Sequence, residues 1–228
     1  MKKVRVLGLA VLMTGLLSGC EKFSPEETAI SVNKDGEIVS FITESFEKDY
    51  YRADELEASI DQAIYNYNEQ VGGENIEKKK FEVKDQAAKL TINYASGEDY
   101  ARFNGVTLFA GDVLGAYNVG YDFKGGFQSV DKGTVIAPVT GNEILNSYNY
   151  GIVILEENIE VKVPGNIVYV SDNVEVTGKK TARVASAKST GGETALQQET
   201  DANGALSIMP VSSSGVENAS GLAYILYD

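Results

Sequence analysis

The chain has no histidine and no tryptophan, and its 228 residues include one cysteine and four prolines. Each shortage removes a class of chemistry. Without histidine there is no Ser-His-Asp or Cys-His nucleophile system, no His-ligated zinc and no H-E-x-x-H helix. A lone cysteine, Cys20, forms no intrachain disulfide, so the fold must stand on its core alone. No G-x-x-x-x-G-K-[ST] or G-x-G-x-x-G run occurs, and no loop is marked for phosphate; the pairs Gly125-Gly126 and Gly191-Gly192 read as loop flexibility. The missing tryptophan takes away the usual platform under a sugar ring, although 13 tyrosines could stand in.

Basic residues are scarce too. Lys and Arg number 20 against 33 Asp and Glu, for a net charge of −13. Phosphates repel such a chain, which excludes nucleic acid as a partner and disfavours electrostatic adhesion to an anionic membrane. The hydrophobic fraction, 43%, is that of a globular chain, long enough for one large domain or two small ones.

What is present begins with an address. Lys2, Lys3 and Arg5 precede an uncharged apolar run over 6–17, a positive n-region and an h-region too short to span a bilayer. The run ends in Leu17-Ser18-Gly19-Cys20, which has the form of a lipobox. Ser18 and Gly19 are small enough for a peptidase cleft, and Cys20 offers a sulfur for a thioether. Residues 1–19 therefore read as a lipoprotein signal peptide, cut between Gly19 and Cys20, with diacylglycerol on Cys20 as the covalent group. No other cofactor and no metal is expected; with Cys20 lipidated, thiolate catalysis goes as well. The alternative is an ordinary secretory signal with a chance cysteine. Cleavage removes three bases and leaves 17 against 33 acids, a net charge near −16. The anchor is then hydrophobic, and two acyl chains at ~0.8 kcal/mol per buried methylene hold a protein effectively permanently.

Residues 20–27 read as a polar tether and 28–228 as a folded α+β body. Runs at 29–32 and 37–43 flank Asn33-Lys34-Asp35-Gly36, where Asp-Gly marks a hairpin turn. Leu56, Ile60, Ala63, Ile64, Tyr67 and Val71 recur at helical spacing, and Gly72-Gly73 stops that helix. Residues 80–84 and 89–94 form a second hairpin, with Leu90, Ile92 and Tyr94 alternating with Thr91 and Asn93. Ser96 and Asp99 have capping-box spacing before a short helix ended by Asn104-Gly105. Residues 107–121 open as a buried strand and turn glycine-rich; nothing in the pattern places 111–126.

From 151 the chain reads as short strands at 152–155, 159–163, 167–170, 174–176 and 181–184, separated by turn residues. The repeated starts Asn158-Ile159, Asn166-Ile167 and Asn173-Val174 leave two arrangements open, a meander of hairpins or a short β-solenoid. Residues 186–220 form a low-complexity insertion, because 222–227 is apolar on both faces as a central strand would be. The expected class is α+β: β-β-α-β-β-α followed by a mostly β part, with an internal boundary at 141–149 as an option. Ser31-x-Asn33-x-Asp35-Gly36 imitates the start of an EF-hand, but position twelve is Ile42 where a bidentate Glu is required, so no calcium is expected.

The lipobox, together with Ile30-Ser31-Val32-Asn33-Lys34-Asp35-Gly36, the Tyr-Ala-Arg-Phe-Asn-Gly-Val-Thr run at 100–107 and residues 152–184, resembles lipoproteins of unknown function in anaerobic Gram-positive bacteria. The resemblance implies the outer leaflet of the cytoplasmic membrane and brings no substrate or site with it. In a Gram-negative source, Glu21 is not the aspartate that retains lipoproteins at the inner membrane, which implies the outer membrane. Two functions compete. One is a non-catalytic envelope module that binds an envelope protein or a wall glycan. The other is a carboxylate-dependent glycan-active enzyme, which needs two carboxyl groups ~5–10 Å apart in a cleft, or a glycan-binding surface protein. Glycan binding predicts Tyr50, Tyr51, Tyr117, Tyr121, Tyr148 and Tyr150 together on one exposed face. No residue is singled out as catalytic.

Overall fold

The computed structural model describes residues 23–184, 198–200, 206–208 and 221–228. Gly19, Cys20 and the signal segment 1–19 lie outside them. The first hairpin is β1 (Ala29–Val32) and β2 (Ile38–Ser45). Its turn is held by Asn33, whose Oδ1 accepts from the amides of Asp35 and Glu37 at 2.9 Å each, with Gly36 at φ 84°. The resemblance to a calcium loop is thus the resemblance of one tight turn to another. Helix α1 (Ala53–Val71) ends on Gly72 in the left-handed region. Its stripe buries Ile64 and packs Ile60 and Tyr67 on the core, while Ala63 points to solvent. Strands β3 (Ile76–Lys84) and β4 (Ala87–Tyr94) follow, joined by Asp85 and Gln86 at φ 51° and 62°, the two positive angles of a type I′ hairpin. Helix α2 (Gly97–Asn104) is capped by Ser96 and stopped by Gly105.

Strand β5 (Leu108–Asp112) leads into α3 (Val113–Asn118), whose first turn is capped by the Asp112 side chain. Residues 119–126 are irregular. Next come β6 (Phe127–Asp131), β7 (Thr134–Val139) and α4 (Gly141–Leu145), which opens with a Thr140–Glu143 capping box. The C-terminal part holds β8 (Gly151–Leu155), β9 (Glu160–Lys162), β10 (Ile167–Ser171), β11 (Val174–Val176) and β12 (Thr181–Val184). Within the 186–220 stretch, β13 (Gln198–Thr200) pairs antiparallel with β14 (Leu206–Ile208); the rest of it lies outside the described residues. Strand β15 (Ala223–Tyr227) closes the chain.

The class is α+β, with the β-β-α-β-β-α start and a largely β remainder. Seven strands in the order β11-β12-β9-β1-β2-β4-β3 form sheet A, and six in the order β5-β8-β15-β10-β6-β7 form sheet B. Neither a meander nor a solenoid describes 151–184. From β8 to β11 the chain alternates between the sheets, and β11 with β12 is the one pair of consecutive strands there. The physical reason is burial. Val161 and Ile154 each need a covered face, and crossing between two stacked sheets covers both. Both sheets draw strands from either side of 141–149; sheet A even pairs β1 with β9 in parallel.

Strand period two divides the interior. Val153, Leu155, Ala223 and Ile225 face sheet A and, with Ile30, Ile38, Ile92 and Val161, make a large core closed at one end by α1 and α2. Ile152, Ile154, Tyr224 and Leu226 face the other way and, with Phe127, Val113 and Ile144, make a second core under α3 and α4. The C-terminal strand β15 lies between the two, fully buried along four of its five residues. Among the described residues no helix is long and apolar enough to cross a membrane.

Candidate functional site

Two carboxylates come first, buried Asp99 and half-buried Glu157, because each could be chemical. Asp99 Oδ1 accepts from Tyr67 Oη and from Asn75 Nδ2, both at 2.9 Å, and Oδ2 from Ser96 Oγ at 2.5 Å. Burial works to raise its pKa, and those three hydrogen bonds outweigh burial, so the carboxyl sits below its ordinary value. Burial and this carboxylate push the Tyr67 phenol up to about 12. The network ties α1, the start of β3 and α2 together, with both hydroxyl donors, Tyr67 and Ser96, spent on Asp99; it is a structural cap. Glu157, on the turn between β8 and β9, is different. Burial raises its pKa, opposed by the Tyr100 hydroxyl that donates to it at 3.0 Å. Tyr100 in turn stands edge-on to Tyr94 at 5.0 Å. This single carboxyl pins the crossover between sheets to α2.

Among the described residues the open place is elsewhere. Residues 119–125 curl around the edge of the second core, and Val119, Gly120, Tyr121, Asp122 and Gly125, with Phe109, Gly221, Leu222 and Tyr224, line a groove of about 740 Å³, within the range of ligand sites. The loop is pinned at both ends. Tyr224 Oη donates to Asp122 O at 2.8 Å, and Asp172 N donates to Gly126 O at 3.1 Å. Gly126 is closely approached by the exposed Asp172 side chain: a Cβ there would stand 1.9 Å from Asp172 Oδ2, so a larger residue would have to turn that carboxylate aside. The Tyr121 ring lies 5.5 Å from Phe109, and Tyr224 stands 5.6 Å from both Phe123 and Phe127. Burial raises the phenols of Tyr121 and Tyr224, helped by Glu156 and Asp122 respectively. Both therefore stay protonated donors at neutral pH.

On the rim, Val119 is 66% exposed; in the helix before it, α3, Tyr117 and Leu114 are more than half exposed. Among the lining residues one side-chain carboxylate is present, Asp122, which is tied to Lys124 through its amide at 3.2 Å. A smaller cleft near Asp131 and Asp228 is a chain closure, with Asp228 Oδ1 accepting from Asn166 N at 2.7 Å.

The six tyrosines do not share one face. Tyr50 and Tyr51 stand against each other, ring centres 5.0 Å apart, in the connection between β2 and α1. Tyr117, Tyr121, Tyr148 and Tyr150 belong to the layer over the second core, where Tyr121 lines the groove, Tyr148 is exposed and Tyr150 rests on Tyr169 at 6.2 Å. The physical reason for the split is that α1 covers sheet A and α3 covers sheet B. Reading the sequence missed Phe109, Val119, Asp122, Leu222 and Tyr224 as site residues. The one available signal was that 111–126 fitted neither a helical nor a strand period. Set beside known protein families, curated proteins and solved structures, the chain matches none.

Proposed function

We propose that this chain is a lipid-anchored extracytoplasmic lipoprotein, held by diacylglycerol on Cys20, that binds a wall glycan or a segment of another envelope protein without catalysis. One observation carries the binding half: an open groove lined by rings and aliphatic side chains, edged by exposed Val119, with phenol hydroxyls and Asp122 as its polar points. Aromatic faces beside a few fixed donors suit a sugar ring or an apolar peptide side chain, and clustered exposed apolar side chains mark interaction sites. The anchor half rests on the lipobox. With it goes the placement at the outer leaflet of the cell membrane, or at the outer membrane in a Gram-negative source.

Both halves have a direct test. Wild-type protein incorporates labelled fatty acid and Cys20→Ser does not, persisting as precursor or shed in soluble form. Processing of Cys20→Ser with full partition into detergent would overturn the anchor. The soluble body, from residue 22 on, is titrated with defined wall-glycan fragments and cross-linked in envelope extract. Saturable binding without release of reducing ends is expected, whereas glycan cleavage would move the assignment to the carboxylate-dependent enzyme.

A further inference from the structure

The N-terminal end of the described chain is fastened to the fold. Phe23 sets its ring edge-on to Phe41 at 5.5 Å, and Lys162 Nζ lies 5.3 Å from the centre of the same Phe23 ring. Glu27 pairs with Arg183 at 2.6 Å. The Thr28 hydroxyl donates to Thr43 O and accepts from Thr43 N. By strand register Phe41, Thr43, Lys162 and Arg183 lie on one side of sheet A, the side away from the large core.

That side also differs in charge from the rest of the protein. Its acids are Glu77, Glu82, Glu160 and Glu175, with Glu27 paired to Arg183, and its bases are Lys80, Lys84, Lys89, Lys162 and Arg183. Five against five leaves no net charge, on a chain whose total is −13. Helix α1, on the opposite side of the sheet, carries Asp54, Glu55, Glu57, Asp61 and Glu69 with no base.

We propose that the outer face of sheet A lies against the lipid bilayer, with docked Phe23 as the joint, so that the groove is presented away from the membrane. The proposal rests on the lipid reading of Cys20. Two residues, Glu21 and Lys22, lie between Cys20 and Phe23, a reach over three Cα steps of at most about 11 Å. A body leashed that closely must turn the side bearing Phe23 toward the lipid. A near-neutral face can come within a Debye length of anionic headgroups, ~8 Å at physiological ionic strength, without the repulsion the α1 side would meet. Beyond sheet A lie sheet B and then the α3/α4 layer. At about 10 Å per packed layer, the groove stands roughly 20 Å farther from the membrane than the outer face.

The test uses the full lipidated chain with one added thiol, either Lys89→Cys on the outer face of sheet A or Leu114→Cys on α3. Both positions are exposed, so neither threatens the fold. Each is labelled with a donor fluorophore and reconstituted into phosphatidylcholine–phosphatidylglycerol vesicles carrying a headgroup acceptor. Energy transfer should be several-fold stronger from position 89 than from position 114. Adding Phe23→Ala to each should bring the ratio toward one. An equal or reversed ratio on protein that carries labelled fatty acid overturns the orientation and leaves the anchor standing. A ratio unmoved by Phe23→Ala overturns the joint. If Cys20 takes up no fatty acid, the anchor reading falls and the orientation falls with it.

Discussion

The two cores of this protein are built from the same strands and end differently. Strands β8 and β15 give alternate residues to each, so Val153 and Ile225 serve the large core while Ile152 and Leu226 serve the second. The large core is closed by a second sheet and two capped helices, and its carboxylate Asp99 is fully hydrogen-bonded. The second is roofed by two helices of six and five residues, and its edge opens into the groove. A long sheet can cover its neighbour from end to end, whereas helices of one or two turns cannot. Among the described residues one region is thus sealed for stability and one left open, and the open one is where recognition can occur.

Breaking each core separately should show the contrast at its largest. Ile92→Ala in the large core removes a fully buried side chain that sheet B cannot collapse onto, at a cost of about 2–5 kcal/mol. The loss should appear as a lowered urea midpoint for the whole protein. Ile144→Ala, equally buried in α4, should instead loosen the α3/α4 layer first. Hydrogen exchange would then quicken at the amides of Ile144 and Asn146 while those of β8 and β15 stay protected. Equal global destabilisation by both substitutions would mean that the two cores unfold as one.

The two carboxylates sharpen the comparison through pH. The folded-state pKa of Asp99 is depressed, so its contribution is complete above the ordinary carboxylate value and lost as pH falls through the lower folded value. Asp99→Asn should cost about 1–3 kcal/mol at neutral pH, because an amide nitrogen would face donors, and the variant should lose that part of the acid-side decline. Glu157 has the opposite sign. Its folded-state pKa is raised, so the folded chain holds the proton longer and stability falls as pH rises from 4.5 through the folded value. Glu157→Gln keeps an acceptor for Tyr100 and removes the half-buried charge. It should be neutral or stabilising at pH 7, within about 1 kcal/mol, and its urea midpoint should vary less between pH 4 and 7 than that of the wild type.

The same division governs what could be read from the sequence. Elements around the large core announce themselves: α1 by its stripe and Gly72, α2 by Ser96, Asp99 and Gly105, the first hairpin by Asp35-Gly36, and β15 by being apolar on both faces. Each signal is local. The layer over the second core carries weaker ones. Helices α3 and α4 are too short for a period to show, β7 is exposed along nearly its whole length, and the loop at 119–126 is held by contacts with Asp172 and Tyr224 from about 50 and 100 residues away. The grouping of strands into two sheets was out of reach for the same reason. Alternation tells that a strand has two faces but not which partner covers each, and the meander and solenoid readings failed on that point.

The smallest effect on stability should come from the groove rim, and there the comparison is most exposed to failure. Val119 is two-thirds exposed and follows the last turn of α3, so replacing it touches little of either core, and surface changes of this kind stay within about 0.5 kcal/mol. Val119→Lys sets a long charged side chain where the groove meets solvent, beside Tyr121 and Gly120. A ligand that rests on the aromatic lining must then displace that side chain or desolvate its ammonium group. The expected result is an unchanged urea midpoint with at least a tenfold loss of affinity for whichever wall-glycan fragment or envelope segment the wild-type body binds. Val119→Ile, which keeps the rim apolar, should bind as the wild type does. If Val119→Lys binds unchanged, recognition lies outside the groove and the open core is a packing boundary only. If it binds weakly but also unfolds early, the second core depends on its rim, and the division between a sealed region and an open one would have to be abandoned.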